Sequence, residues 1–225
     1  MTIKRVLGWL YSGPRGNAPR VANPYRDGVT GLDRPGAWRA RRRNLEAYLE
    51  RVGPVRVVLV GEALGYRGGR FSGIAFTSER QLAGPPGARL PWAHDAFRAT
   101  STRPSLWTEP SGTIVWRALG GRPDGVLLWN TFPWHPHGPP TARPASGDGR
   151  LTNRTPEAVM VHENLRVLGA VLDWAQPRRV AAVGRVAAGA LATMGLECEP
   201  LRHPARGGAV LFSRQLASLL DREAC

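Results

Sequence analysis

The chain has 225 residues, enough for one large domain with a well-buried core, and no break in composition demands a second. Thirty-one basic against 17 acidic residues give a formal net charge of +14, and Lys4 is the only lysine, so nearly all of the positive charge is arginine. Only Cys198 and Cys225 are present, which excludes a disulfide framework and a four-thiolate metal or iron–sulfur site, and no run reaches about 18 apolar residues, which excludes a helical membrane span.

Met1 to Leu7 lacks the sustained apolar core of a signal peptide, so the expected compartment is the reducing cytoplasm. The arginine excess points to a polyanionic partner; coding bias with a solubilising charge is the other reading. In residues 1–35 the pairs Gly13-Pro14, Ala18-Pro19, Asn23-Pro24 and Arg34-Pro35 predict an irregular arm, leaving one domain over 36–225. From Trp38 to Val52, Trp38, Leu45, Tyr48 and Leu49 fall near helical spacing. Arg39, Arg41, Arg42 and Arg43 crowd the rest, which predicts a basic helix with a solvated face.

Val55 to Val60 is a short β-branched and aliphatic run ending at Gly61, as a strand buried on both faces reads. Glu62 through Thr77, with Gly65, Gly68, Gly69 and Gly73, is expected to be the loop leaving that strand, where open α/β sheets bind ligands. An ordinary glycine-rich connector is the competing reading, since a loose glycine pattern is a weak signal. Residues 81–110 are rich in proline and glycine and predict a short helix or two, followed by a helix over Ser111–Leu119 and a clear strand over Val126–Phe132. A second loop starts at Pro133-Trp134-His135-Pro136-His137 and runs through Gly147, Asp148 and Gly149. Thr155, Pro156 and Glu157 then open a long helix to about Ala175. Arg179–Gly184 reads as a third strand and Arg185–Met194 as a small-residue helix. Cys198–Leu201 reads as a fourth strand delivering His203-Pro204-Ala205-Arg206-Gly207-Gly208 to the same edge, and Ala209–Glu223 as the last helix.

Strands alternating with helices predict an α/β fold: a three-layer α/β/α sandwich around a mostly parallel four-stranded sheet. Its rim collects Glu62, Phe76, Asn130 and His203. No GxxxxGK[ST] phosphate loop, nucleophile elbow or HExxH motif accompanies them. His135 and His137 suggest a metal pair, but alternate histidines in a proline-rich loop are more often solvated or packed. The remaining chemistry is that of a site for a flat, hydrogen-bonding ring: an aromatic to stack, an amide to read an edge, a histidine to meet charge.

The ordered set Gly61-Glu62-Ala63-Leu64-Gly65, Gly73-Ile74-Ala75-Phe76, Asn130-Thr131, Val183-Gly184-Arg185-Val186-Ala187 and His203-Pro204 resembles the uracil-DNA glycosylase superfamily, over roughly residues 55 to 224. The resemblance implies a monomeric, monofunctional glycosylase that flips uracil out of DNA and hydrolyses its glycosidic bond in base excision repair, with no metal, organic cofactor or membrane partner. By that likeness Phe76 stacks on the base, Asn130 pairs with its N3–O4 edge, Gly61 and Ala63 line the base site, and His203 hydrogen-bonds the uracil O2 as charge gathers there. Gly184 and Arg185 hold a phosphate, and Arg206 and Gly207 lie near the strand.

The departures are specific. Many relatives carry an aspartate or asparagine where Ala63 stands, to position the attacking water. The loop is nearer the Gly-Glu-Ala-Pro-Gly form of the iron–sulfur branch, with Leu64 in place of proline, but that branch needs four cysteines and none of its clusters is expected here. Glu62, Glu79 or His135 is left as the residue that positions the water, or a dissociative reaction that needs little help. Two alternatives stay open beside uracil excision: a DNA- or base-binding protein of the same fold with catalysis weakened, and a glycosylase for hypoxanthine or xanthine.

Overall fold

The computed structural model describes residues 1–94, 96–139 and 150–224, so Gly147, Asp148, Gly149 and Cys225 lie outside the described residues. Its centre is a four-stranded, all-parallel sheet in the order β3-β2-β5-β6, made of β2 (Val57–Ala63), β3 (Val126–Phe132), β5 (Arg179–Val183) and β6 (Glu199–Leu201). Val57–Val60 and Val126–Trp129 are buried throughout, as the continuous apolar runs require of strands covered on both faces. Helices α6 (Ala158–Ala175) and α7 (Arg185–Thr193) touch each other over the sheet, and α2 (Ala37–Val52), α5 (Pro110–Ala118) and α8 (Ala209–Ala224) complete the three-layer sandwich. On the edge strand β3 the Leu128 N–H is taken by the buried Tyr48 hydroxyl of α2, at 2.8 Å, so that side-chain oxygen stands in for a missing neighbour strand.

β2 runs past the glycine at which the sequence suggested an end. Gly61 pairs with Asn130 and Ala63 with Phe132, so the loop begins only at Leu64. The helix expected from Thr155 begins at Ala158, with Glu157 still extended ahead of it.

The arm is not irregular. Ile3, Val6, Leu7 and Leu10 lie at i, i+3, i+4 and i+7, and Ile3–Ser12 forms helix α1, which buries Val6, Leu7 and Leu10. The proline–glycine punctuation falls after this helix. The Asn23 amide caps its end through the carbonyls of Leu10, Tyr11 and Gly13, and the buried Trp134 indole donates to Leu10 O. Farther along, β1 (Val21–Ala22) pairs antiparallel with β4 (His135–Pro136), tying the arm to the second loop.

The arginine run of α2 is also not one solvated face. Arg41 is fully buried and donates to Asp33, which also receives Arg70 from α3 (Gly69–Ser72). Burial opposes the Asp33 charge, but Arg70 and Arg41 together hold its carboxyl below the ordinary value. Burial and the neighbouring Arg70 push Arg41 down to about 10, against the pull of Asp33. This buried triad locks the arm, α2 and the glycine loop together, and so fixes the frame from which Phe76 projects.

Candidate active site

At the carboxyl ends of the strands lies a cavity of about 180 Å³, which Glu62, Ala63, Phe76, Asn130 and His203 line together. Of these, Asn130 belongs to β3 and the first two to the end of β2, while the other two arrive on loops. Because Gly61 and Asn130 are register partners on neighbouring strands, the Asn130 side chain comes down beside the Gly61 backbone. A methyl group on Gly61 would lie 2.5 Å from Asn130 Oδ1 and 2.8 Å from Phe76 Cε2, and closer still to Phe76 Cζ. Glycine is required there for close approach, since its φ is not positive.

Phe76 is held in a left-handed backbone conformation, φ 53°, uncommon for a bulky residue and costly by about 1–3 kcal/mol. The surrounding loop sustains it: the Ser72 hydroxyl donates to Thr77 O and accepts the Ile74 N–H, and the Trp116 indole donates to Thr77 Oγ1. The ring is only half-buried and faces the cavity.

Asn130 is 3% exposed, yet its amide makes no hydrogen bond to any described residue. Nearly every other buried amide here is used; Asn23, Asn44 and Asn164 each bond backbone groups. No described backbone group pins the amide, and its orientation is limited by packing on Gly61. The amide donor and acceptor therefore face the cavity with no protein partner and are free to meet a ligand that matches both.

His203 is half-buried, and its Nδ1 accepts the Ala205 N–H at 3.1 Å. That bond places the proton of the neutral ring on Nε2, as a donor. Burial, then Arg202 and Arg206, lower its pKa, so the ring is neutral at pH 7. Gly184, φ 90°, packs beside the imidazole, where a methyl group would come within 3.4 Å of His203 Cβ. Arg185 opens α7 on the surface, and Arg206 and Gly207, both at positive φ, form an exposed turn after His203. These residues stand outside the cavity, flanking its histidine wall.

Two water-positioning candidates have other work. The Glu79 carboxylate is buried and saturated by Thr100 N, Ser101 N and Ser101 Oγ. His135 is buried with Nδ1 2.8 Å from Leu64 O and Nε2 3.1 Å from Arg150 O. Burial is the main cause that pushes its pKa down to about 4, so the ring is neutral and its one N–H is donated to only one of these carbonyls. His137 stacks on it, and among the described residues no cluster of His, Cys, Asp and Glu is placed to hold a metal.

The sequence reading missed Glu109, Ser111, Asn153 and Arg154 on the cavity wall. Asn153 Oδ1 accepts the Tyr66 N–H at 2.9 Å, and Arg154 bonds Glu157 and Pro19 O. Glu109 occupies the N-cap position of α5 without capping it; its side chain lines the cavity, with Oε2 packed beside Gly68 and Gly112, closed off and unpartnered. Burial raises its pKa to about 7. The only signal in the sequence was Glu109-Pro110, an acid before an N1 proline, which reads equally well as a plain helix start.

No curated protein matches the chain. Residues 49–218 match the family model described as Uracil DNA glycosylase superfamily, a span that holds all four strands of the main sheet and every residue from Gly61 to Gly207 discussed above. With well over half its length so matched, and with the all-parallel sheet delivering these loops to one rim, the chain belongs to the uracil DNA glycosylase superfamily and is of DNA-glycosylase type.

Proposed function

We propose that the protein excises uracil from DNA by hydrolysis of the glycosidic bond. The observation that carries this reading is the Asn130 amide, open to the cavity and without a protein partner, beside the Phe76 ring. Uracil offers a donor at N3 and an acceptor at O4, which one amide matches with its oxygen and its nitrogen. The flipped base stacks on Phe76 and pairs with Asn130 while His203 Nε2–H approaches O2. As the C1′–N1 bond breaks, its electron pair moves into the ring and charge gathers at O2. A neutral imidazole donating there stabilises that charge by hydrogen bonding. Lys4, the only lysine, belongs to α1, so no lysine of the cavity forms a Schiff base with the sugar, and water is the acceptor.

The +14 charge and the exposed Arg185 and Arg206 support DNA as the polyanion. Ala63, which gives the cavity a methyl where relatives place a polar group, is the one feature that favours binding without catalysis.

Single-turnover cleavage of a uracil oligonucleotide, read by alkaline scission of abasic sites, tests the reading. His203→Ala should slow the reaction by at least about 10²-fold with DNA affinity nearly unchanged. Asn130→Asp should lose most uracil cleavage, on the order of 1–3 kcal/mol of transition-state stabilisation. Equal losses of binding and rate in His203→Ala would make that residue structural, and unaltered cleavage by Asn130→Asp would remove the amide from base reading.

A further inference from the structure

We propose that Glu109, which reaches the cavity from the start of α5, holds and deprotonates the attacking water, a role that the methyl group of Ala63 cannot fill. This inference rests on the glycosylase reading above. The carboxyl group lines the same cavity as Phe76, Asn130 and His203. It sits in a cradle of three glycines. A methyl on Gly68 would lie 2.5 Å from Glu109 Cδ and closer to Oε2, one on Gly65 would lie 3.0 Å from Oε1, and one on Gly112 would lie 3.1 Å from Oε2. The Gly112 approach also touches the Phe76 carbonyl, so the carboxyl and the residue that carries the stacking ring meet on one α-carbon. Gly65 and Gly68 therefore serve to admit this side chain, a use that a connector between strand and helix does not need.

No described residue donates to either carboxyl oxygen; Oε2 is packed out of solvent, while Oε1 is not enclosed in that way and is the oxygen a water can reach. A carboxyl oxygen that faces a cavity without a protein partner is usually satisfied by an ordered water. A water held there has its oxygen lone pair free for C1′. In the step itself the water oxygen bonds C1′, the C1′–N1 pair leaves with the uracil anion, and one water proton passes to the Glu109 carboxylate, leaving a neutral carboxylic acid. The raised pKa fits a base that works near neutrality. Other titratable groups lining the cavity are Glu62, Arg154 and His203. Of these, Glu62 competes for the role: its backbone carbonyl accepts the Thr131 hydroxyl, but neither oxygen of its side chain is enclosed as Glu109 Oε2 is.

The test is single-turnover uracil release from pH 5 to 9 by wild type, Glu109→Gln, Glu109→Asp and Glu62→Gln, with affinity for uracil-containing DNA measured alongside. We expect the wild-type rate to rise with pH and level off above about 7. Glu109→Gln should fall by at least about 10²-fold and lose that rise while still binding the DNA, and Glu109→Asp should keep the rise at a reduced rate. Four results overturn the inference: an unchanged profile in Glu109→Gln, loss of DNA binding in step with rate, no recovery of the rise by aspartate, or a loss that follows Glu62→Gln alone. Wild type that binds but releases no uracil at any pH sinks the glycosylase reading itself, and this inference with it.

Discussion

Gly61→Ala is the smallest change that probes the geometry of the site. The backbone tolerates alanine, because Gly61 is not at positive φ, so the whole effect comes from one methyl group inserted between β2, Asn130 and Phe76. At 2.5 Å from Asn130 Oδ1 and 2.8 Å from Phe76 Cε2, it falls short of an ordinary contact by about 1 Å, so the ring and the amide both have to retreat by roughly that much. Overpacking of a buried site costs about 1–3 kcal/mol, which outweighs the roughly 0.4–1 kcal/mol that glycine-to-alanine contributes by restricting the unfolded chain. For a domain of this size each kcal/mol moves Tm by about 2–4 °C, so a fall of several degrees is expected. A shift of about 1 Å in a positioning group costs about 10²-fold in rate. The assay is thermal unfolding followed by single-turnover uracil release, with Gly189→Ala as the control. Gly189 lies inside α7 with nothing near its α-carbon, so alanine there should stabilise slightly and leave the rate alone. Wild-type Tm and wild-type rate in Gly61→Ala would refute the close packing of strand, ring and amide.

Two further expectations concern charge. Asp33→Asn leaves Arg41 and Arg70 buried without their counter-ion and should destabilise the fold by about 3–5 kcal/mol in urea titration. Because the folded Asp33 carboxyl lies below its unfolded value, its contribution is present at neutral pH and is lost as pH falls through the folded pKa, a slope the variant should lack. Glu109 has the opposite sign: its pKa is raised from 4.5 to about 7, so its own contribution to stability is greatest below about 4.5 and falls by about 3 kcal/mol as pH rises through 7. Glu109→Gln should flatten that decline in denaturant titrations at several pH values, and an identical decline in the variant would show that this carboxyl does not titrate there.

Strand order and rim were legible because Val57–Val60 and Val126–Trp129 are uninterrupted apolar runs, and Gly61, Asn130, Gly184 and His203 lie at or near their carboxyl ends, although β2 and β3 run two residues past Gly61 and Asn130. The four cavity side chains followed from that placement. Helix α1 was equally legible in Ile3, Val6, Leu7 and Leu10; the prolines after it drew attention away from a complete apolar stripe. The burial of Arg41 could not be read, since nothing local distinguishes it from Arg39 or Arg43; its counter-ion Asp33 lies on the arm and Arg70 on the glycine loop. Glu109 was hidden for a related reason. Its enclosure is built by Gly65 and Gly68, more than 40 residues away, and glycines in a loop carry no mark of the side chain they admit.

The central claim is that this cavity reads uracil. Purified protein should be given matched oligonucleotides that differ in one base, uracil, cytosine, hypoxanthine or xanthine, under single-turnover conditions, with abasic sites cleaved by alkali. The Asn130 amide predicts abasic-site formation at uracil and none at cytosine, whose edge has donor and acceptor exchanged, while hypoxanthine and xanthine, which present the same N–H and carbonyl as uracil, measure how far the size of the cavity limits the base. Release of hypoxanthine or xanthine with uracil left intact would contradict it.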